Sequence, residues 1–234
     1  MKRERAVCLV SGGLDSCVSA AVAQSRGLDL AFLHVSYGQR TAKRERRAFQ
    51  EIAAHYQVQH RLAAEVEYLR RIGGSALTDP GIDLPEGQLD RSGIPVSYVP
   101  FRNGNLLSIA ASWAEVLQSR SIYMGAVEED SSGYPDCRAS FFEAFNAVLD
   151  EGTRPETRIQ VVTPLIQLPK SDIVKKGLEL KAPLHLTWSC YQNEDRACGQ
   201  CDSCLLRLRG FEEAGVRDPI PYQEAGGWGK TVRL

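Results

Sequence analysis

The sequence predicts an α/β protein, a doubly wound and mostly parallel sheet with a cysteine-rich module at its carboxyl end. Three observations predict it. Short apolar runs alternate with helical patterns in the order of successive βαβ units. The first run, Val7-Cys8-Leu9-Val10, passes directly into the glycine pair of Ser11-Gly12-Gly13-Leu14-Asp15-Ser16. Near the other end, Cys190, Cys198, Cys201 and Cys204 crowd together in a C-x7-C-x2-C-x2-C spacing.

Composition sets the bounds. At 234 residues, 43% hydrophobic and 24% charged, the chain can bury a sizeable core. No apolar run approaches the ~18 residues of a membrane span, and Met1-Lys2-Arg3-Glu4-Arg5 leads into a strand rather than a signal peptide. A cytoplasmic protein without a membrane partner is expected. The formal charge of −1 gives no global attraction to nucleic acid, so no direct nucleic-acid contact is expected either. A small-molecule substrate fits better.

The first strand runs into a turn where Gly12 and Gly13 can adopt φ > 0 and let a ligand approach the backbone. An Ala/Val-rich helix follows over 16–25, and its free N–H groups point at whatever fills the turn. With Ser11 and Ser16 supplying hydroxyls, that ligand should be a phosphate. The glycines are adjacent and no Gly-Lys-Ser/Thr follows, so this is not a Walker A loop. Asp15 suits Mg²⁺ or a helix cap. A glycine-rich turn with no ligand is the plainer alternative.

Residues 28–35 read as a second strand ending in Ser36-Tyr37-Gly38-Gln39-Arg40, and ligands of doubly wound sheets gather at such carboxyl ends. Tyr37, Gln39 and Arg40 are therefore nucleotide candidates. A charged helix over 41–56 should bury Ala48, Phe49, Ile52 and Ala53 and leave its Arg and Glu in solvent. A third strand over 58–62 is followed by an irregular insert over 65–95, rich in Gly and Pro, that reads as a lid or a dimer arm. Asn103 is the expected N-cap of a helix over 104–118. Arg102 beside it is either an anion ligand or a solvated arginine.

A strand over 121–126 ends in the acidic loop that holds Asp130, Tyr134, Asp136 and Cys137, with carboxylates fit for Mg²⁺, a base edge or solvent alone. A helix over 139–150 and a last strand over 159–162 precede Pro169-Lys170. Lysine is out of place at a helix N-terminus unless an anion is near, which makes Lys170 a phosphate candidate beside the plain alternative of an exposed lysine. Of the seven cysteines, Cys8 and Cys17 read as small buried hydrophobes. The four late ones have ligand spacing, for structural zinc in a closed tetrathiolate site or for an iron–sulfur cluster. Disulfides are disfavoured in the cytoplasm. The chain thus divides into a sheet domain over 1–185 and a metal-binding segment over 186–234.

The loop Ser11-Gly12-Gly13-Leu14-Asp15-Ser16 resembles the PP-loop of the ATP pyrophosphatases, whose fold is that of the adenine nucleotide alpha hydrolases. Taken with Tyr37-Gly38-Gln39-Arg40, Val99-Pro100-Phe101-Arg102-Asn103, Gly133-Tyr134-Pro135-Asp136-Cys137-Arg138, Thr187-Trp188-Ser189-Cys190-Tyr191 and Cys198-Gly199-Gln200-Cys201-Asp202-Ser203-Cys204, it resembles the 7-cyano-7-deazaguanine synthase family over nearly the whole chain. Thr41 departs from the histidine expected there. The resemblance implies a ligase that forms C–N bonds in queuosine biosynthesis, from 7-carboxy-7-deazaguanine, ammonia and ATP with Mg²⁺, through adenylated carboxylate and amide intermediates, with one structural zinc per subunit. It also implies an ATP loop over Val10, Ser11, Gly12, Gly13, Leu14, Asp15, Ser16, Cys17, Val18, Ser19 and Ala20. Asp15, Arg102 and Lys170 would be catalytic, Tyr134 with Asp130 or Asp136 would hold the base, and Cys190, Cys198, Cys201 and Cys204 would bind the zinc. A homodimer is expected. Two rivals stand beside this reading: a tRNA-thiolating or lysidine-forming PP-loop enzyme, and a zinc-knuckle scaffold without catalysis.

Overall fold

The protein is described from a computed structural model, over residues 3–84, 93–128 and 133–223. Five parallel strands form one sheet in the order β3-β2-β1-β4-β5, from β1 (Arg5–Leu9), β2 (Asp29–Ser36), β3 (His60–Glu65), β4 (Ser121–Met124) and β5 (Gln160–Val162). The doubly wound parallel sheet expected from the sequence is the observed fold.

Strand periodicity decides which side chain meets which helix. Ala6, Cys8 and Val10 turn to one face, where they pack with Cys17, Ala20 and Ala23 of α1 (Leu14–Ser25) and with Phe49, Ile52 and Ala53 of α2 (Ala42–His55). Val7 and Leu9 turn to the other, against Leu107, Ala110 and Ala114 of α4 (Arg102–Leu117) and Phe142 and Leu149 of α5 (Ala139–Gly152). Because β1 and its neighbours are covered on both faces, they read as continuous apolar runs rather than alternating ones.

The chain winds outward from β1 through β2 to β3, then returns to lay down β4 and β5 on the other side. The winding therefore reverses between β1 and β4, and a crevice opens at their carboxyl ends. Gly125, just past β4, allows a close approach there: a Cβ would lie 2.5 Å from the backbone of Asp15.

Three expectations are corrected. The insert is not loose at its flanks, since it carries a short helix, α3 (Tyr68–Ile72), and buries Ser75, Ala76, Leu77 and Thr78. Asn103 is not the N-cap of α4, because the helix begins two residues earlier than expected, at Arg102 behind Phe101, which adopts a left-handed φ of 52°. Nor is every charge on α2 solvated, as shown below for Glu45.

The carboxyl-terminal segment is built onto the sheet. α7 (Asp202–Glu213) packs along α6 (Lys170–Glu179), and Trp188 and the four cysteines cluster with Ala48 of α2. Among the described residues, no helix is long and apolar enough to cross a membrane.

Candidate active site and four-cysteine centre

The glycine turn after β1 is fixed from outside. Gly12 has φ +98°, and a Cβ on it would meet the Glu45 carbonyl oxygen at 2.6 Å, so only glycine fits. Its own carbonyl accepts a 2.8 Å hydrogen bond from the Trp188 N–H. Gly13 is extended, at φ −81°, and stands as N-cap of α1. The Gly13 N–H donates to Ser11 Oγ at 3.1 Å, and Ser16 Oγ donates to the Gly13 carbonyl at 3.0 Å.

Two connected cavities open over this turn. One, of about 260 Å³, is lined by Val10, Ser11, Gly13, Ser16, Tyr37 and Trp188 among others. The second, of about 210 Å³, is lined by Ser97, Tyr134, Cys137, Lys170, Asp202 and Arg207 among others. Leu14, Asp15, Arg102, Asn103, Ser189 and Tyr191 border both. The crevice thus has a phosphate-loop lobe and a second lobe joined at Asp15 and Arg102.

Lys170 Nζ donates to both Asp15 carboxylate oxygens, at 2.9 and 3.0 Å. Arg102 Nη1 donates to Tyr37 Oη at 3.3 Å and its guanidinium stands over that ring. Tyr134 Oη and Ser97 Oγ share a 2.6 Å hydrogen bond, and burial pushes the Tyr134 phenol above its ordinary pKa. Glu45 accepts from Gln39 Nε2 and from Thr41 Oγ1 at 3.0 and 2.9 Å. Burial raises its carboxyl above the usual range, against those two donors. Thr41 thus stands at the N-cap of α2 but bonds a side chain rather than a helix N–H.

Several residues singled out from the sequence stand elsewhere. Cys17, Val18, Ser19 and Ala20 are buried around α1 and are not among the residues that line the two cavities, because each helical residue rises about 1.5 Å further from the N-terminus that faces the crevice. Gln39 is spent inside the protein on the Tyr37 N–H and on Glu45. Arg40 points away from the crevice and clamps the insert, donating to the carbonyls of Ala76, Asp79 and Ile82. Asp136 is buried and accepts from the Asn103 N–H at 2.8 Å, so it caps α4 instead of offering two free oxygens. Burial raises its carboxyl above the ordinary range. Asp130 lies outside the described residues.

The crevice is also lined by residues that have no role in the sequence beyond their place in the cysteine motifs: Ser189 and Tyr191 flank Cys190, and Asp202 lies between two cysteines. Trp188 reaches Gly12 through its backbone, which no side-chain pattern reveals.

Cys190, Cys198, Cys201 and Cys204 are all buried, and their sulfurs lie within 4.8 Å of one another. A tetrahedral zinc with bonds of ~2.3 Å requires sulfurs about 3.8 Å apart. Cys198 and Cys204 are separated by 3.8 Å. An iron–sulfur cluster would distribute its thiolates over separate irons, whereas these four converge on one centre. The N–H groups of Gln192, Asn193 and Cys198 point at Cys190 Sγ, and those of Gln200 and Cys201 point at Cys198 Sγ, which suits thiolate acceptors. Contacts from Cys201 and Cys204 pull the Cys190 thiol pKa down, while the contact with Cys190 pushes Cys204 up. Four buried sulfurs this close together could hold one metal ion. Cys8 and Cys17, by contrast, are buried beside the loop, and desolvation pushes Cys17 up to about 12.

This module is tied to the crevice through Arg207. Its Nε and Nη2 grip both oxygens of Asp218 at 2.7 and 2.9 Å, and its Nη1 donates to Thr187 Oγ1 at 2.8 Å. Arg207 and Asp218 are almost wholly buried. They hold the segment 187–190 from beneath, and that segment holds Gly12.

A family model described as "Queuosine biosynthesis protein QueC" matches residues 5–215. The chain belongs to the QueC family. Among relatives, it is similar to the 7-cyano-7-deazaguanine synthase of Chlorobium chlorochromatii, 57% identical over 94% of this chain and 96% of that protein. It is 55% identical to the protein of that name from Chlorobaculum tepidum, over 94% of this chain and 96% of the relative. A solved NMN synthetase from Francisella tularensis is similar in shape at 16% identity, with a TM-score of 0.48 over 92% of this chain and 79% of that one. The QueC match spans the phosphate turn, the Arg102 region and all four cysteines.

Proposed function

We propose that this chain is a 7-cyano-7-deazaguanine synthase. It converts 7-carboxy-7-deazaguanine and ammonia to the nitrile at the expense of ATP, as a C–N bond-forming ligase of queuosine biosynthesis. The observation that carries the reading is the two-lobed crevice joined at Asp15 and Arg102, in a chain 57% identical over 94% of its length to a relative of that name.

A carboxylate is a poor electrophile and must be activated before ammonia can attack. One carboxylate oxygen attacks the α-phosphorus of ATP, and pyrophosphate leaves. Ammonia then adds to the acyl carbon, AMP leaves with the C–O electron pair, and a proton is lost to give the amide. The amide oxygen attacks a second ATP in the same way, pyrophosphate leaves, and loss of AMP with the C–O electron pair and of both nitrogen protons leaves the C≡N bond.

The protein's part is positioning and charge stabilisation rather than covalent catalysis. Ser11, Gly13, Leu14 and Ser16 would receive the pyrophosphate at the start of α1, with Tyr37 beside the nucleotide. Lys170 and Arg102 stand at the junction, where charge develops on the α-phosphate and the departing oxygen. Mg²⁺ carried in with ATP would be held at Asp15 and would neutralise phosphate charge. Tyr134 would offer its ring to the base plane.

Cys190, Cys198, Cys201 and Cys204 would hold one zinc in a closed site with a structural role. Such binding contributes about 10–16 kcal/mol to folding. It accounts for the order of a short segment over 186–223 that has little core of its own. The enzyme would act in the cytoplasm on the free base, without nucleic acid. Homodimerisation through the insert region is the remaining part of the reading, favoured by exposed Tyr68, Ile72, Ile94 and Phe101 around it.

The test is mass spectrometry of protein incubated with ATP, Mg²⁺, ammonium and 7-carboxy-7-deazaguanine, together with metal analysis. Nitrile, AMP and pyrophosphate with one zinc per chain are expected. Release of ADP and phosphate would overturn the adenylation route. Turnover seen only after tRNA is added would overturn the substrate.

A further inference from the structure

The second lobe of the crevice contains a carboxylate oxygen that nothing in the fold satisfies. Asp202 Oδ1 is shielded from solvent and has no hydrogen-bond partner, and Asp202 lines the lobe together with Tyr134, Ser97 and Arg102. Burying a carboxylate oxygen without a donor is costly, and native proteins rarely leave one so. Asp202 is the first residue of α7. The helix N-terminus favours its charge but gives no donor to Oδ1. A donor brought by the ligand completes the site.

The other nearby acids are committed. Asp15 is held by Lys170 and is the residue that would meet Mg²⁺ when ATP binds, Asp136 is engaged by the Asn103 N–H, Asp218 by Arg207 and Tyr222, and Glu45 by Gln39 and Thr41. Among the described residues lining this lobe, the carboxylates are those of Asp15 and Asp202. Asp202 is also close enough to Tyr134 for its charge to bear on that phenol. Tyr134 and Asp202 thus line one cavity, and Asp202 keeps an oxygen without a donor at its wall. That combination suits a flat heterocycle with two adjacent N–H donors on one edge.

We propose that Asp202 is the specificity-determining residue of this enzyme, accepting the ring N1–H and the exocyclic amine of the 7-deazaguanine base. The inference rests on the synthase reading above. It assigns to the residue between two metal ligands a role in substrate choice.

The experiment compares 7-carboxy-7-deazaguanine with its analogue lacking the exocyclic amine, in the wild-type holoenzyme and in Asp202→Asn. Loss of a hydrogen bond to a charged group corresponds to a preference of about 10- to 100-fold. The wild type should show that preference in kcat/KM. The variant should raise KM for the amine-bearing base by a similar factor, leave KM for ATP unchanged, keep its zinc, and shrink the preference to within about 3-fold. An undiminished preference in a zinc-replete variant, or none in the wild type, overturns the inference. Should the Asp202→Asn variant lose zinc, Asp202→Glu keeps the charge and moves the oxygens by one methylene; an unchanged preference there overturns the inference as well. A wild type that converts neither base sinks the synthase reading itself, whereas one that converts both equally sinks only the role of Asp202.

Discussion

Lys170 Nζ lies 2.9 Å from one oxygen of Asp15 and 3.0 Å from the other, which closes a charge pair across the junction of the two cavities. Gly210 of α7 makes room for the lysine: a Cβ there would come within 2.9 Å of Lys170 Cβ and closer still to its Cγ. The cysteine-bearing helix therefore sets where this cation can stand. Removing a preorganised charge-stabilising donor costs about 10²- to 10³-fold in rate.

Lys170→Ala should lower kcat for AMP release by about 100-fold or more. Its stability should fall by about 1–3 kcal/mol, because the Lys170 side chain is only 10% exposed and its stem packs against Gly210. Gly210→Ala should weaken the same step by displacing the lysine, with zinc content intact. Comparison of AMP release with urea midpoints checks both, and a fully active Gly210→Ala would show that the stem of Lys170 is not held by α7.

Gly12→Ala should be the most damaging single methyl in the loop. It places a Cβ at φ +98° and 2.6 Å from a backbone oxygen that cannot move without shifting α2. Strain of this kind costs on the order of 1–3 kcal/mol, and relief would come by pushing the Gly12 carbonyl off the Trp188 N–H. Thermal unfolding and ATP titration should show a lower Tm together with loss of ATP binding; normal ATP affinity would contradict the fixed-loop account.

What was legible in the sequence was what has a local cause. The strand, glycine turn and helix at 7–25 follow from apolar runs and a residue type that alone tolerates the turn, and the four cysteines follow from spacing. What escaped depends on contacts between distant segments. Arg40 follows a strand end, where ligands gather, yet it serves the insert because three carbonyls there lacked donors. Asp136 was read as a free carboxylate, but the helix start at Arg102 rather than Gly104 puts the Asn103 N–H against it. Asp202 was overlooked for the opposite reason: its environment is defined by a missing partner, and no sequence pattern records that.

The Arg207 and Asp218 pair couples folding to the crevice. Both are buried, and each oxygen of Asp218 has more than one donor. Breaking a buried pair by removing one partner typically costs about 3–5 kcal/mol. Asp218→Ala should therefore lose about that much stability in urea unfolding. It should also raise KM for ATP, since Arg207 holds Thr187 beside the residue that bonds Gly12. A destabilised variant with unchanged KM for ATP would separate the two effects and refute the coupling.

His34 gives the protein a pH-dependent stability that is independent of catalysis. It is buried in β2, stacks on Phe49 at 5.1 Å, has Nδ1 3.1 Å from the Val10 carbonyl and Nε2 3.3 Å from Ser36 Oγ. Nδ1–H donating to the carbonyl and Nε2 accepting the Ser36 hydroxyl satisfy a neutral ring. Burial lowers its pKa below 6.5, against the pull of the Val10 carbonyl. The unfolded chain consequently binds a proton that the folded protein refuses. Stability from His34 is complete above about pH 6.5 and falls with decreasing pH, by up to about 1.4 kcal/mol per unit, until the lowered folded-state pKa is reached. His34→Gln keeps a donor but does not titrate, so subtracting its urea stability from that of the wild type isolates this contribution from the carboxylates. The difference should be constant from about pH 8 to about 7 and should shrink steadily toward about pH 5.5. A difference that stays flat over that whole range would mean that the folded ring takes up its proton as readily as the unfolded one, and that the carbonyl of Val10 offsets burial.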